Sequence, residues 1–487
     1  MRTVSLFYKK ENVTILGLSL IFLYNLRDLL FPLNYQQDDI AELEPTYLES
    51  FMCAFGWGDQ HPLFSGIIWT LSRIFDSPEH AVSILVLFFG ILTIVIFFNT
   101  LSNLFNYSYA VLGTVFLITS PIFNTYSVGL KQYNFEILTS VICLYFLQKN
   151  SKALLVKKDY IVLSVSSLFL FLLSFVNILM LFLLLLFLIN KITLKQTTYF
   201  ATFFSSVVIF QGELISKIQR VSNGGYWDNF FINTTSGSEF FDSFYFLSQL
   251  FFKSLFPIVL HPISVFLLFI SIVFVFIRND LIVFYSLCSI FLLYVLSALK
   301  LYPLGGGRTD LLFIPFLIII ILNFFKYISE TILIVKGSNS FFILAVLYLS
   351  IILLFTQPYY KNETINPILI EIENAYNSEE VAIVVTEEQS HSFLYYSKKL
   401  YDFSYKSPQT CSFESNINNL FIQHNDEKIE PIKEIQNFQE IILVGIELPN
   451  TSGQLRLIIN QLIDEGYRAK DEKTYSGYLK LLYFTEG

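Results

Sequence analysis

Four short stretches of this 487-residue chain carry the residue types that acid–base and phosphate chemistry require. The first is Gln37-Asp38-Asp39, within a polar segment from Asn34 to Phe64 that also holds Glu42, Glu44 and Glu49. The second, Asp59-Gln60-His61-Pro62-Leu63-Phe64, closes that segment after a Gly-Trp-Gly turn. The third is Tyr126-Ser127-Val128-Gly129-Leu130-Lys131-Gln132-Tyr133. The fourth, Tyr302-Pro303-Leu304-Gly305-Gly306-Gly307-Arg308, enters an apolar run at Leu311. Adjacent carboxylates can take a proton from an acceptor hydroxyl, or hold a divalent metal that activates it. Lys131 and Arg308 can neutralise a phosphate. Arg308 opens a helical run, where the dipole disfavours a cation, and an anion bound between them would resolve the conflict. Each stretch also has a plainer reading: solvated acids, a His-Pro turn, a snorkelling lysine, a flexible glycine reversal. Charged groups gathered at membrane depth on one side favour the functional reading.

The elements that must position these residues are greasy. The chain is 54% hydrophobic, 17% aromatic and 14% charged, with 53 phenylalanines and a mean hydropathy of +0.58. A soluble protein would be about one quarter charged, and several apolar runs reach the roughly 20 residues that cross a bilayer. The chain is therefore expected to be a polytopic α-helical membrane protein. About eleven spans are expected, near 13–33, 80–101, 109–126, 133–148, two within 160–190, 198–216, 247–277, 281–299, 308–328 and 339–356. The 160–190 run is too long for one span and is expected to break near Ser174–Asn177. Leu63–Phe75 could lie in the membrane interface. Lys9, Lys10, Lys149, Lys152, Lys157, Lys158, Lys191, Lys195, Arg278, Lys326 and Lys336 fall on one side and put the N-terminus in the cytoplasm. The first run lacks a small-residue cleavage site and is taken as a retained anchor.

From residue 357 onward 11 basic residues face 20 acidic ones, a net −9 within the total of −8, which leaves 1–356 at +1. Strands at Val381–Thr386, Ile441–Ile446 and Tyr478–Phe484 alternate with helices at Glu388–Leu400 and Gln454–Gly466. That alternation predicts a small α/β domain with a partly parallel sheet, placed outside the membrane. The domains are thus 1–356, a membrane domain with its outer acidic loop at 34–79, and 357–487. No basic face suggests nucleic acid. Cys143 and Cys288 lie in apolar spans, while Cys53 and Cys411 fall in soluble segments, where a disulfide between them is open to the chain with nothing in the sequence to support it.

Carboxylates opposite phosphate-binding cations are what sugar transfer from a polyprenyl-phosphate donor requires, with the lipid among the Phe- and Leu-rich spans. In order, Asp38-Asp39, HPLF at 61–64, the run from Asp76, SYAVLGTVFLITSPIFNTYSVGLKQY at 108–133, YPLGGGRTDLLFIPFL at 302–317 and EEVAIVVTEEQSHSFLYYSKKL at 379–400 carry a resemblance. Together they resemble the GT-C superfamily of membrane glycosyltransferases, families 39 and 83, which include protein O-mannosyltransferases and the lipid A aminoarabinose transferase. The resemblance implies a GT-C-like fold and a bacterial inner-membrane location. It implies Asp38 or Asp39 as catalytic base, and Asp59, His61, Lys131, Tyr133 and Arg308 as substrate-binding residues. The donor would be a polyprenyl-phosphate sugar and the acceptor a lipid, glycan or protein on the outer face. Asp38 and Asp39 would also be the residues to hold a divalent metal, with no ligand set defined. Lys131 and Tyr133 replace the Arg-x-Tyr common in relatives, and lysine binds phosphate as a point charge rather than a fork.

Two other classes compete. A transporter or channel would place its charges within spans around a midplane site, whereas here they sit at one surface. A non-catalytic envelope assembly protein would have no need of an intact Asp38-Asp39 pair.

Overall fold

A computed structural model of the chain describes residues 10–26, 61–75, 78–127, 129–150, 157–174, 176–188, 228–255, 280–305, 308–331, 381–386, 420–423, 438–446, 453–474 and 479–486, with positions 205 and 372. The chain forms two compact units. One comprises Met1–Leu30, Gly58–Phe64 and His80–Tyr359, the other Phe31–Trp57, Ser65–Glu79 and Tyr360–Gly487.

The first unit is helical. In chain order its elements are α1 (Lys10–Asn25), the first residues of α2 (Pro62–Ile74), α3 (Pro78–Leu104) from His80 on, α4 (Tyr107–Ile118), α5 (Pro121–Tyr126), α6 (Tyr133–Asn150), α7 (Lys157–Leu173), α8 (Asn177–Leu188), α9 (Gly237–Leu255), α10 (Leu281–Ala298) and α11 (Ile314–Thr331). Among the described residues three helices are long and apolar enough to cross a membrane: Glu79–Leu104, Leu281–Ala298 and Thr309–Tyr327. α4, α7 and α8 are shorter and apolar. The expected spans at 198–216 and 339–356, and most of 247–277, lie outside the described residues.

The long run at 160–190 breaks where its polar residues fall: α7 ends at Leu173 and α8 begins at Asn177. The expected single span at 109–126 is two helices instead. Thr119 ends α4, Ser120 caps α5 by accepting from Phe123 N–H, and Pro121 takes the first position of the new helix. Proline there has no amide to satisfy and its φ already suits a helix start.

α11 is the centre of this unit. Residues 311–322 are all buried, a helix apolar on every side and surrounded by others. α3 and α10 lie further out and expose Ile84, Phe88, Phe284 and Phe291, as lipid-facing helices do. Buried hydroxyls within these helices donate back to the carbonyl four residues earlier, as in Thr93 to Phe89, Thr139 to Phe135 and Ser289 to Tyr285. That pairing satisfies them without a partner helix. α10 ends in a Schellman turn, Leu301 N–H to Leu296 O at 2.8 Å and Lys300 N–H to Ser297 O at 3.0 Å, with Lys300 left-handed at φ +56°.

In the second unit, β1 (Val381–Thr386), β2 (Leu420–Gln423), β3 (Glu440–Ile446), β4 (Tyr467–Thr474) and β5 (Leu479–Glu486) form one sheet ordered β2-β1-β3-β5-β4. β1 runs parallel to both β2 and β3, pairing Ile383 with Leu420 and with Ile442, while β5 is antiparallel to β3 and β4. A central parallel strand is buried on both faces, which explains the unbroken apolar run Val381–Val385. α12 (Gly453–Asp464) packs Leu455, Ile458 and Leu462 with Ala382, Val384, Ile441 and Leu443. The expected helix at 388–400 lies outside the described residues, as do Cys53 and Cys411. Cys143 and Cys288 are free thiols.

Candidate active site

Residues 127–140 bury seven polar side chains in an otherwise apolar unit: Ser127, Lys131, Gln132, Asn134, Glu136, Thr139 and Ser140. They run from the end of α5, through a turn, into the first two turns of α6. Burying polar groups is costly unless each finds a partner, and these residues reach out to different elements. Gln132 Nε2 lies 2.6 Å from Nε2 of His61, which stands just before α2. With the amide nitrogen as donor, that ring nitrogen is the acceptor. Asn134 Nδ2 donates to Val86 O of α3 at 3.1 Å and to Ser127 Oγ at 3.2 Å. This requires a close approach at Gly90, where a Cβ would stand 3.1 Å from Asn134 Nδ2 and 3.3 Å from Ser127 Oγ. Glu136 Oε1 accepts from Ser174 Oγ at 2.7 Å, in the gap between α7 and α8. Ser140 Oγ donates to Leu312 O. One end of α6 thus gathers His61, the α7–α8 break and the turn that leads into α11.

Lys131 is 6% exposed, with Nζ 6.0 Å from the centroid of the Tyr133 ring. Tyr133 in turn meets Tyr126 edge to face at 4.8 Å. Three of the residues expected to bind substrate, His61, Lys131 and Tyr133, are thereby neighbours through Gln132. Gln132, between Lys131 and Tyr133 in sequence, carries no signal of its own in residue type or spacing. Its Oε1 is buried and has no hydrogen-bond partner among the described residues.

The glycine turn is held from several sides. Tyr302 Oη donates to Thr309 O at 2.9 Å, Leu304 N–H to Phe230 O at 2.8 Å, and Gly305 N–H to Asp310 Oδ1 at 2.9 Å. Gly305 has φ +74°, and a Cβ there would meet Leu250 Cβ at 2.8 Å and Leu247 O at 3.0 Å. Arg308 opens a 3-10 helix, Arg308–Phe313, that continues into α11. The first turn of this helix also holds an acid of the chain itself, the fully buried Asp310.

Asp38, Asp39 and Asp59 lie outside the described residues, as does the side chain of Arg308. Among the described residues no group of three His, Cys, Asp or Glu side chains could hold a metal ion. The signal that would have pointed to Asn134, Glu136 and Asp310 was present in the sequence. Asn134 and Glu136 alternate with Tyr133, Phe135 and Ile137, and Asp310 directly precedes Leu311-Leu312-Phe313; an amide or acid set against apolar neighbours is costly and calls for a reason.

No curated protein matches the chain. Residues 59–215 match the family model described as dolichyl-phosphate-mannose-protein mannosyltransferase, a window that holds His61, Lys131, Tyr133 and all of α6 but not Asp38, Asp39 or Arg308. The match is a likeness to that family over about a third of the chain, and it includes the long apolar helix Glu79–Leu104.

Proposed function

We infer that this protein transfers a sugar from a polyprenyl-phosphate donor to a lipid, glycan or protein acceptor on the outer face of a bacterial inner membrane. The observation that carries the reading is the family match over 59–215, which coincides with a buried lysine in a unit of apolar helices.

In this reading the polyprenyl chain lies along the lipid-facing helices, and Lys131 and Arg308 meet the phosphate. Asp59, His61 and Tyr133 line the sugar. Asp38 or Asp39 takes the proton of the acceptor hydroxyl as its oxygen bonds to the anomeric carbon. The bond from that carbon to the phosphate oxygen breaks, and polyprenyl phosphate leaves as the anion that the two cations stabilise. The two aspartates are also the acids that could hold a divalent ion, which would polarise the acceptor oxygen. The domain at 357–487 is placed outside the membrane, where its acidic surface meets water.

The test uses the full chain reconstituted in nanodiscs with polyprenyl-phosphate-linked mannose, glucose, galactose and aminoarabinose in turn, with membrane extract as acceptor. Transfer is expected from one of them. It should fall ~10²–10⁴-fold in the Asp38→Asn, Asp39→Asn double variant, the range typical of losing a general base. Undiminished transfer by that variant would remove the carboxylates from the mechanism.

A further inference from the structure

We propose that Gln132 binds a hydroxyl of the transferred sugar, next to the Lys131 that meets its phosphate; this rests on the glycosyltransferase reading above. Gln132 is 4% exposed. Its amide nitrogen lies 2.6 Å from His61 Nε2, and with that nitrogen as the donor the carbonyl is turned away from the ring. Oε1 is then an acceptor buried without a partner among the described residues. An unpaired buried acceptor is costly, and a native structure that keeps one has a use for it.

The chemistry of the missing partner follows from the atom. A carbonyl oxygen only accepts, so it cannot serve a phosphate, which also only accepts at neutral pH. It needs a donor. Lys131 has the opposite limitation, three N–H donors and no acceptor. Two successive buried residues thus carry a cation and a bare acceptor. A sugar phosphate carries the matching pair, an anion joined to a ring of hydroxyl donors. A subsite built on a committed hydrogen bond of this kind discriminates strongly against a ring lacking that hydroxyl.

The test is a cycle between protein and ligand. The full chain is assayed with whichever of the four polyprenyl-phosphate sugars it uses, and with the monodeoxy analogues of that sugar. The wild type should lose roughly tenfold to a hundredfold in kcat/KM on one analogue. Gln132→Met should lose a similar factor on the parent sugar and show no further loss on that same analogue. Gln132→Glu, which keeps an acceptor oxygen, should regain the discrimination. Equal losses by Gln132→Met on every analogue would make the residue structural and overturn the proposal while leaving the enzyme reading intact. If a buried water satisfies Oε1, the wild type will show no analogue whose penalty Gln132→Met removes, with the same consequence. Transfer from none of the four sugars would bring down the enzyme reading, and this inference with it.

Discussion

At the scale of single residues, the proposed roles separate by which kinetic constant each one moves. A base acts only as the acceptor hydroxyl loses its proton, so Asp39→Asn should lower kcat and leave the KM for donor nearly unchanged. Arg308→Ala removes a contact that exists in the bound donor and strengthens as the leaving phosphate gains charge. Both constants should worsen. Initial rates across donor concentrations check this, and identical profiles for the two variants would break the assignment. Two glycines make a second, purely structural contrast. Alanine at Gly90 must push Asn134 by a few tenths of an ångström, an overpacking cost of about 1–3 kcal/mol. Alanine at Gly305 meets Leu250 Cβ at 2.8 Å and must also hold φ +74°, which adds about 1–2 kcal/mol. Thermal unfolding in detergent should rank Gly305→Ala below Gly90→Ala.

At the scale of elements, the turn at 302–310 shows how a carboxylate can matter without touching substrate. Asp310 holds Gly305 N–H at 2.9 Å. Asp310→Ala leaves that buried donor unpaired, at a cost of about 1–3 kcal/mol. Asp310→Asn keeps an acceptor and should cost less; equal unfolding midpoints for the two variants would show that the hydrogen bond is not what holds the turn. The same elements show what the sequence made legible. The break at Ser174–Asn177 could be read because the apolar run around it is too long for one span. The break at Ser120-Pro121 is signalled too, by a capping serine and a proline at the first helical position, but hydropathy over 109–126 alone runs past it. In the sheet, β1, β3 and β5 announced themselves as apolar runs. β2 is only four residues long, and β4 is an edge strand whose Arg468, Lys470, Asp471, Glu472 and Lys473 hide its pairing. Edge strands carry charge to discourage further pairing, so hydropathy is a poor guide to them. For the candidate site, Lys131 and His61 stand out by residue type and Tyr133 by the resemblance. The Gln132–His61 hydrogen bond could not, since it joins residues 71 apart.

At the scale of the whole molecule, α6 has chemically opposite ends. Its first turns carry the buried polar cluster and meet Ser174 and Leu312. Its last turn carries Lys149, and Lys157 and Lys158 open α7 at the beginning of the return path. A lysine-rich loop stays on the cytoplasmic side. The prediction is that the loop at 149–158 is inside and the end of α6 that bears Lys131 faces outward. On that prediction α7 runs from inside to outside, and Ser174, which reaches Glu136, lies at its outer end. If the break after Ser174 returns the chain inward as α8, and the remaining crossings number five as the apolar runs predict, the C-terminus emerges outside. That location suits a domain with 20 acids and 11 bases beyond residue 357, because the positive-inside bias acts on lysine and arginine and leaves an acidic domain free to cross. Alkaline phosphatase, active only outside, and green fluorescent protein, fluorescent only inside, can be fused after Lys158 and after Gly487. The first site should give fluorescence alone and the second phosphatase activity alone. The same signal at both would mean that the chain crosses an even number of times between them, and that α7 and α8 together make one passage instead of two.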